Sequence, residues 1–189
     1  MPTSFGVAKA FRSGEFRDPG IKYGDFFVFN YLVTTGADLD IRASLLYPEG
    51  TSAVLGWGRD NVISKNGITF AYWGGDNTGI GVESIYIHRG RFLQAFPTET
   101  SFTLDLRCFW NAIIGSDVIV SMDAYQGGTM VLNNTTHTFS NPTATNIFPS
   151  SKSIRRTIDF QSSNVETDGQ RHSRVIVNLA AETITYFAN

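Results

Sequence analysis

Residues 38–47 read DLDIRASLLY, and polar and apolar side chains alternate from Asp38 to Leu45. A period of two is typical of a half-buried β-strand, because successive side chains point to opposite faces of a sheet. One face would carry Leu39, Ile41, Ala43, Leu45 and Tyr47. The other would carry Asp38, Asp40, Arg42 and Ser44. This stretch therefore predicts a strand that presents two carboxylates on its polar face.

Similar runs rich in Phe, Tyr, Ile, Val and Thr occur along most of the chain, as strands prefer. They cover residues 25–33, 68–73, 83–88, 102–109, 117–125, 129–132, 154–160, 171–179 and 182–187. Turn-forming Gly, Asn, Asp and Pro residues separate them. No segment combines a helical period with capping residues. We therefore expect an all-β protein, an antiparallel, jelly-roll-like β-sandwich over residues 25–189.

Composition excludes several classes of protein. The 189 residues are enough for one domain with a real core. The single Cys108 excludes an intramolecular disulfide framework and a Cys-rich zinc site. A formal net charge of -2 argues against a nucleic-acid partner. We expect no membrane partner, because no long apolar run is present, and no secretory signal peptide at the N-terminus.

Two stretches differ from the strand-rich remainder. Residues 1–24 contain few apolar side chains, among them Phe5, Phe11 and Phe16, and we expect them to form an N-terminal arm. Spaced aromatics on a polar arm would suit docking onto a neighbouring subunit, although a frayed terminus is the simpler alternative. Residues 133–153 are rich in Asn, Thr, Ser and Pro and predict a long polar loop that leaves the sandwich.

Enzyme motifs are absent from the sequence: there is no nucleophile elbow, zincin motif, phosphate-binding loop or dinucleotide fingerprint. The three histidines, His88, His137 and His172, are isolated from one another and are interpreted as structural residues. Cys108 lies in phase with apolar residues of its strand and is interpreted as a small buried hydrophobe. We therefore expect a non-enzymatic protein.

The best constellation of functional side chains is acidic. Asp38 and Asp40 leave the same face of one strand, the turn over residues 74–79 adds a carboxylate and an amide, and Glu83 follows in the next strand. Calcium takes six to eight oxygen ligands from such groups. Two aspartates on one face repel unless a cation separates them, and Arg42 on the same face is the alternative to a metal ion.

A family resemblance covers about residues 25–125. The stretch 36–40 (GADLD) resembles the D-L-D strand of the TerD family of tellurium-resistance and stress proteins, and residues 75–81 (GDNTGIG) resemble that family's glycine-rich acidic segment. The family's acidic run after the glycines is reduced here to Gly81-Val82-Glu83. The resemblance implies a calcium-binding β-sandwich. The residues it implies as calcium ligands are Asp38, Asp40, Asp76, Asn77 and Glu83.

Three functions follow as hypotheses. In style the chain is similar to accessory virion proteins of tailed bacteriophages, which implies a capsid decoration or tail component that binds other protein subunits and is located in the virion, with the cytoplasm as the alternative. A calcium-dependent binding module is the second hypothesis. The third is carbohydrate recognition by Trp57, Tyr72 and Trp73, for which core packing is the alternative.

Overall fold

The computed structural model describes residues 15–17, 25–35, 37–46, 52–111, 115–147, 153–162, 168–180 and 183–188. Fourteen strands and one short helix lie within these residues. The strands are β1 (Glu15–Arg17), β2 (Phe26–Val33), β3 (Leu39–Leu46), β4 (Ser52–Gly56), β5 (Val62–Lys65), β6 (Ile68–Trp73), β7 (Gly81–His88), β8 (Ser101–Trp110), β9 (Ser116–Tyr125), β10 (Val131–Asn133), β11 (Thr138–Ser140), β12 (Ser153–Ile158), β13 (Gln170–Asn178) and β14 (Thr183–Ala188). Helix α1 (Arg89–Ala95) follows β7 directly.

Two six-stranded sheets form the body of the protein. Sheet A has the order β1-β14-β13-β8-β3-β4, and sheet B has the order β12-β9-β2-β7-β6-β5. The strands within each sheet pair antiparallel. The predicted all-β antiparallel sandwich is therefore confirmed. Strands β10 and β11 form a separate hairpin that packs beside β7.

The core lies between the two sheets and is dominated by large side chains. Strand β2 contributes a row of aromatic and aliphatic residues that are at most 4 % exposed: Phe27, Phe29, Tyr31 and Val33. Buried polar tips of aromatic side chains find backbone acceptors. The Trp110 ring nitrogen Nε1 donates to the Ile158 carbonyl at 2.8 Å, and the Tyr186 hydroxyl donates to the Val120 carbonyl at 2.9 Å. Satisfied polar groups of this kind can be buried at little cost.

Cys108 and His172 are both fully buried, which confirms the prediction that Cys108 is a small buried hydrophobe. Burial raises the pKa of the Cys108 thiol. His172 is the extra residue of a β-bulge in β13, between Arg171 and Ser173. Its Nε2 donates to the Val118 carbonyl of the opposite sheet at 3.0 Å. Burial lowers the pKa of His172 to about 4, so the ring is neutral and links the two sheets.

Helix α1 corrects the expectation that the chain contains no helix. Its seven residues include Gly90, and no side chain caps its N-terminus. A helix this short is unstable in isolation. It forms because Phe92 and Ala95 are buried against the sandwich, with the Phe92 ring 5.5 Å from the Phe70 ring in an edge-to-face contact. Such tertiary stabilisation leaves no helical period in the sequence.

Strand β3 corrects a second expectation, because it is buried on both faces rather than on one. Asp40, Arg42 and Ser44 of the polar face are each at most 7 % exposed. The Arg42 guanidinium lies 4.9 Å from the centre of the Phe109 ring and 6.0 Å from that of Trp57, and its Nε donates to the Trp57 carbonyl at 3.0 Å. Residues distant in sequence therefore cover this face.

The stretch predicted as a long polar loop is partly ordered into the β10–β11 hairpin, whose tight turn is stabilised by the Asn133 side chain. Its Oδ1 accepts from the backbone N–H groups of Thr135 and Thr136. Of the predicted arm, the structure describes only β1, which pairs with β14. No helix among the described residues is long and apolar enough to cross a bilayer.

Candidate metal centre

Three carboxylates from the two sheets meet at one end of the sandwich. Asp38 and Asp40 stand at the beginning of β3 in sheet A, and Asp76 lies in the connection from β6 to β7 of sheet B. One oxygen of each carboxylate lies within 4.8 Å of the others. In the part of the chain that the structure describes, this is the one group of three acidic, His or Cys side chains with such spacing. The structure therefore brings together three of the five predicted ligands.

The spacing of these oxygens fits a single calcium ion. Calcium lies about 2.3–2.6 Å from its oxygen ligands. Two ligands of one ion therefore stand at most about 5 Å apart, when they lie on opposite sides of it. Separations within 4.8 Å allow one ion to contact all three carboxylates.

Asp40 is the most unusual member of the group, because it is 1 % exposed and neither of its carboxylate oxygens has a hydrogen-bond partner among the described residues. Asp38 Oδ1 and Asp76 Oδ1 are also buried without such a partner. Buried polar atoms are nearly always hydrogen-bonded, and a buried carboxylate without a partner is costly. Arg42, the predicted alternative to a metal ion, does not hydrogen-bond to Asp40.

The electrostatics of the group favour a bound cation. Burial raises the pKa of Asp40 to about 7, and the charges of Asp38 and Asp76 act in the same direction, whereas Arg42 lowers the value. Burial and the charge of Asp38 also raise the pKa of Asp76. The carboxylates thus resist simultaneous ionisation, as expected for like charges in one site. A divalent cation would remove that resistance.

Glu83 lies beside this group rather than within it. It is 3 % exposed, and its Oε1 accepts from the backbone N–H of Asn77 at 3.1 Å, while its Oε2 accepts from the Trp73 ring at 3.4 Å. Burial raises the pKa of Glu83 well above its ordinary value, although these two hydrogen bonds oppose the rise. The contacts make Glu83 a positioning residue for the β6–β7 connection.

Asn77, the remaining predicted ligand, contributes its backbone to this arrangement. Its side chain packs against Gly81, where a Cβ atom would collide with the amide nitrogen. A side chain at position 81 would therefore displace the side chain of Asn77 from its present position. Asn77, which follows Asp76 in the chain, also lines a groove of about 540 Å³. The groove is lined by Asn77, Ile80, Gly81, Val82, Thr135, Thr136 and Thr138.

Two further residues of the site were not expected from the sequence. His137, at the turn of the β10–β11 hairpin, places its Nδ1 3.2 Å from the Gly74 carbonyl, and its charge lowers the pKa of Asp76. A Cβ atom at Gly74 or Gly75 would collide with His137, so the two glycines let the hairpin pack on the connection. Asn111 donates to Asp38 Oδ2 at 3.1 Å. Neither residue has a motif around it that indicates this role.

The three aromatics proposed for carbohydrate binding do not form one platform. Trp57 follows β4 of sheet A and packs edge-on against Phe109. Tyr72 and Trp73 are consecutive in β6 of sheet B and therefore face opposite sides. Tyr72 stacks on Tyr86 with ring centres 4.4 Å apart, and Trp73 packs against the core. Recognition of a sugar by these rings stays a prediction.

The predicted subunit contacts lie mostly outside the described residues. Phe5 and Phe11 lie outside the residues that the structure describes. The backbone of Phe16 is described as the centre of β1, in register with Tyr186 of β14. The arm therefore contributes a strand to the edge of sheet A, and docking of its aromatics onto another subunit stays a prediction.

Comparisons with known proteins leave the family open. No protein-family model matches the chain, and no curated protein or solved structure is significantly similar to it.

Proposed function

We propose that the chain is a non-enzymatic, calcium-dependent binding module whose ion is held by Asp38, Asp40 and Asp76. The observation that carries the proposal is Asp40, a buried carboxylate with two unpaired oxygens that belongs to a group of three converging acids. An isolated buried carboxylate is costly, whereas one that coordinates a metal is compensated.

The donor set favours calcium over other ions. Carboxylate oxygens suit hard cations, while zinc and copper prefer sites that include imidazole or thiolate. Magnesium demands near-ideal octahedral geometry at about 2.0–2.1 Å and retains several waters. Ligands drawn from a strand and an irregular connection suit the looser coordination of calcium.

The ion would act by organising the groove beside it. Asp76 and Asn77 are consecutive, so an ion bound to Asp76 restrains the connection that carries Asn77 into the groove wall. His137 and Gly74 couple the same connection to the hairpin that supplies the threonine hydroxyls. Calcium would thus order both walls of the groove and make ligand binding there dependent on the ion.

Titration calorimetry in metal-free buffer at neutral pH tests the proposal. We expect one calcium ion per chain, and magnesium to bind at least about tenfold more weakly, because it must give up tightly held waters. Asp117→Asn changes an exposed carboxylate on β9 that pairs with Arg155 and serves as a matched control with unchanged binding. Absence of a calcium signal at millimolar concentration would contradict the proposal.

Assembly with other protein subunits is a second candidate function, and it is favoured by one observation. Strand β1 of the arm pairs with β14 of the same chain and forms the edge of sheet A, and an edge strand offers backbone groups to which another subunit can add a strand. This supports an assembly role of the kind found in virion components.

The aromatic arm residues provide the test of assembly. We expect replacement of Phe5 and Phe11 by Ser to shift the mass measured by light scattering toward the monomer, because an apolar contact is lost. Phe160→Ser removes an aromatic that is 41 % exposed elsewhere on the surface and should leave the mass unchanged. A wild-type chain that stays monomeric at high concentration would exclude this function.

A further inference from the structure

The outer face of sheet A carries a cluster of arginines that the candidate metal centre does not use. Arg107 lies on β8, and Arg171 and Arg174 lie on β13. All three surround the carboxylate of Asp105, and the three are termed the arginine patch. The chain as a whole has a net charge of -2, so this local excess of positive charge is opposite in sign to the net charge of the protein.

The register of the strands places like charges directly opposite one another. Arg42 of β3 pairs with Arg107, and Arg107 pairs with Arg171 on its other side. Residues directly opposite in antiparallel strands share a face, and like charges in these positions are destabilising. A row of three arginines across three neighbouring strands therefore requires a compensating reason.

The bulge at His172 aligns the patch. In a regular strand, residues 171 and 174 would point to opposite faces, because their spacing is odd. The extra residue between Arg171 and Ser173 resets the alternation, so that Arg174 pairs with Asp105 on the same face as Arg171 and Arg107. Bulges often re-aim side chains next to functional sites.

A single carboxylate serves the three guanidinium groups of the patch. Arg174 binds Asp105 with two hydrogen bonds, of 2.5 and 2.7 Å, and Arg171 Nη1 stands 3.5 Å from the same carboxylate. Burial opposes ionisation of Asp105, but Arg174, Arg171 and Arg107 outweigh it and lower its pKa. Arg107 donates to the Gly169 carbonyl at 2.8 Å.

Arg171 is the least satisfied member of the patch. Its contact with Asp105 is long, and its Nε is buried without a hydrogen-bond partner among the described residues. Its side chain is nevertheless 31 % exposed. Part of this guanidinium side chain is therefore open to solvent although Nε is not, and its charge can attract a carboxylate of a ligand.

We propose that the arginine patch is a docking site for an acidic segment of a partner protein, whose carboxylates bind Arg171 and Arg107. The anion already held there is a carboxylate in bidentate contact with Arg174, so the patch suits that group. Arg107 and Arg171 are paired across neighbouring strands, whose backbones lie about 5 Å apart, so neighbouring carboxylates of one extended segment can reach both. The site is distinct from the metal centre and does not depend on it.

Fluorescence anisotropy with a labelled peptide of alternating glutamate and serine tests this docking site. The buffer contains a calcium chelator and little salt, so that an ion at Asp40 makes no contribution. We expect the wild-type chain to bind this peptide and to ignore its glutamine analogue. Arg171→Gln should weaken binding about tenfold, the effect of losing one charge-assisted contact, and Arg171→Lys, which keeps the charge but not the fork, should bind with intermediate strength.

A structural role for Arg171 makes a different prediction for stability. If the row of arginines exists for binding, Arg171→Gln relieves repulsion between like charges and does not lower the melting temperature. If Arg171 is instead needed to neutralise Asp105, the same substitution lowers the melting temperature. Arg155→Gln removes an arginine that is 63 % exposed on β12 and should change neither measurement. Equal binding of the glutamate peptide by wild type and Arg171→Gln would overturn the proposal. So would a competition experiment in which inorganic phosphate displaces the labelled peptide at a lower concentration than unlabelled peptide does.

Discussion

Replacing Asp40 by Asn should abolish the stabilisation of the protein by calcium. A ligand at about a hundredfold excess over its dissociation constant stabilises the native state by about 2.7 kcal/mol. For a chain of this size such a gain raises the melting temperature by about 5–10 °C. We expect this rise in the wild-type chain and its loss in Asp40→Asn, because the substitution removes a ligand charge and one coordinating oxygen from the centre of the group.

The same substitution has an opposite effect in the absence of calcium. Asn has no charge to repel Asp38 and Asp76, so Asp40→Asn should melt at the same or a higher temperature than wild type in chelator above neutral pH. Differential scanning fluorimetry with calcium and with chelator measures both effects. Asp117→Asn, on the exposed face of β9, should retain the full calcium shift. A calcium shift that survived in Asp40→Asn would remove this residue from the site.

The affinity for calcium should fall steeply below neutral pH. Asp40 has a pKa of about 7 in the metal-free protein, and the ion binds only the ionised form, so calcium must displace a proton at lower pH. With a pKa of about 7, the affinity should fall about tenfold per pH unit well below neutral pH, and about fiftyfold from pH 7 to pH 5. Titration calorimetry in buffers of different ionisation enthalpy measures both the affinity and the number of protons released.

The stability of the metal-free protein should depend on pH in the opposite direction. The folded chain holds a proton on Asp40 that the unfolded chain releases near its ordinary value of 3.8. The contribution of Asp40 to stability therefore falls as pH rises from about 4 to about 7 and is constant above that. Saturating calcium should suppress this decline, since the site is then ionised throughout. A calcium affinity independent of pH would show that Asp40 is already ionised before the ion binds.

Local alternation was enough to predict the part of the site that lies on one strand. The spacing of Asp38 and Asp40 places both carboxylates on one face, and the structure holds them together. Asp76 could be predicted as a site residue because its glycine-rich connection lies between two strands that are recognisable in the sequence. Spacing alone does not say which turn lies near which strand. The prediction that the connection with Asp76 lies near the strand with Asp38 and Asp40 came from the resemblance to a family with this acidic pattern.

Long-range contacts were beyond the reach of the sequence. His137 and Asn111 reach the site from elements far along the chain, and neither is marked by a local pattern. Glu83 was implied as a ligand by the resemblance, yet it lies outside the group of three acids, and its oxygens accept from the Trp73 ring and the Asn77 backbone. Arg42 is buried because Trp57 and Phe109 cover it, and alternation within β3 predicted a half-exposed face instead.

The separate origins of the acids have a mechanical consequence. Because Asp40 belongs to one sheet and Asp76 to the connection between two inner strands of the other, an ion shared between them cross-links segments of the two sheets. Such a cross-link closes a loop in the chain and restricts it much as a disulfide does, but it opens and closes with the calcium concentration. Amide hydrogen exchange in residues 74–80 should therefore slow when calcium is added, while the protected centre of sheet A is unaffected.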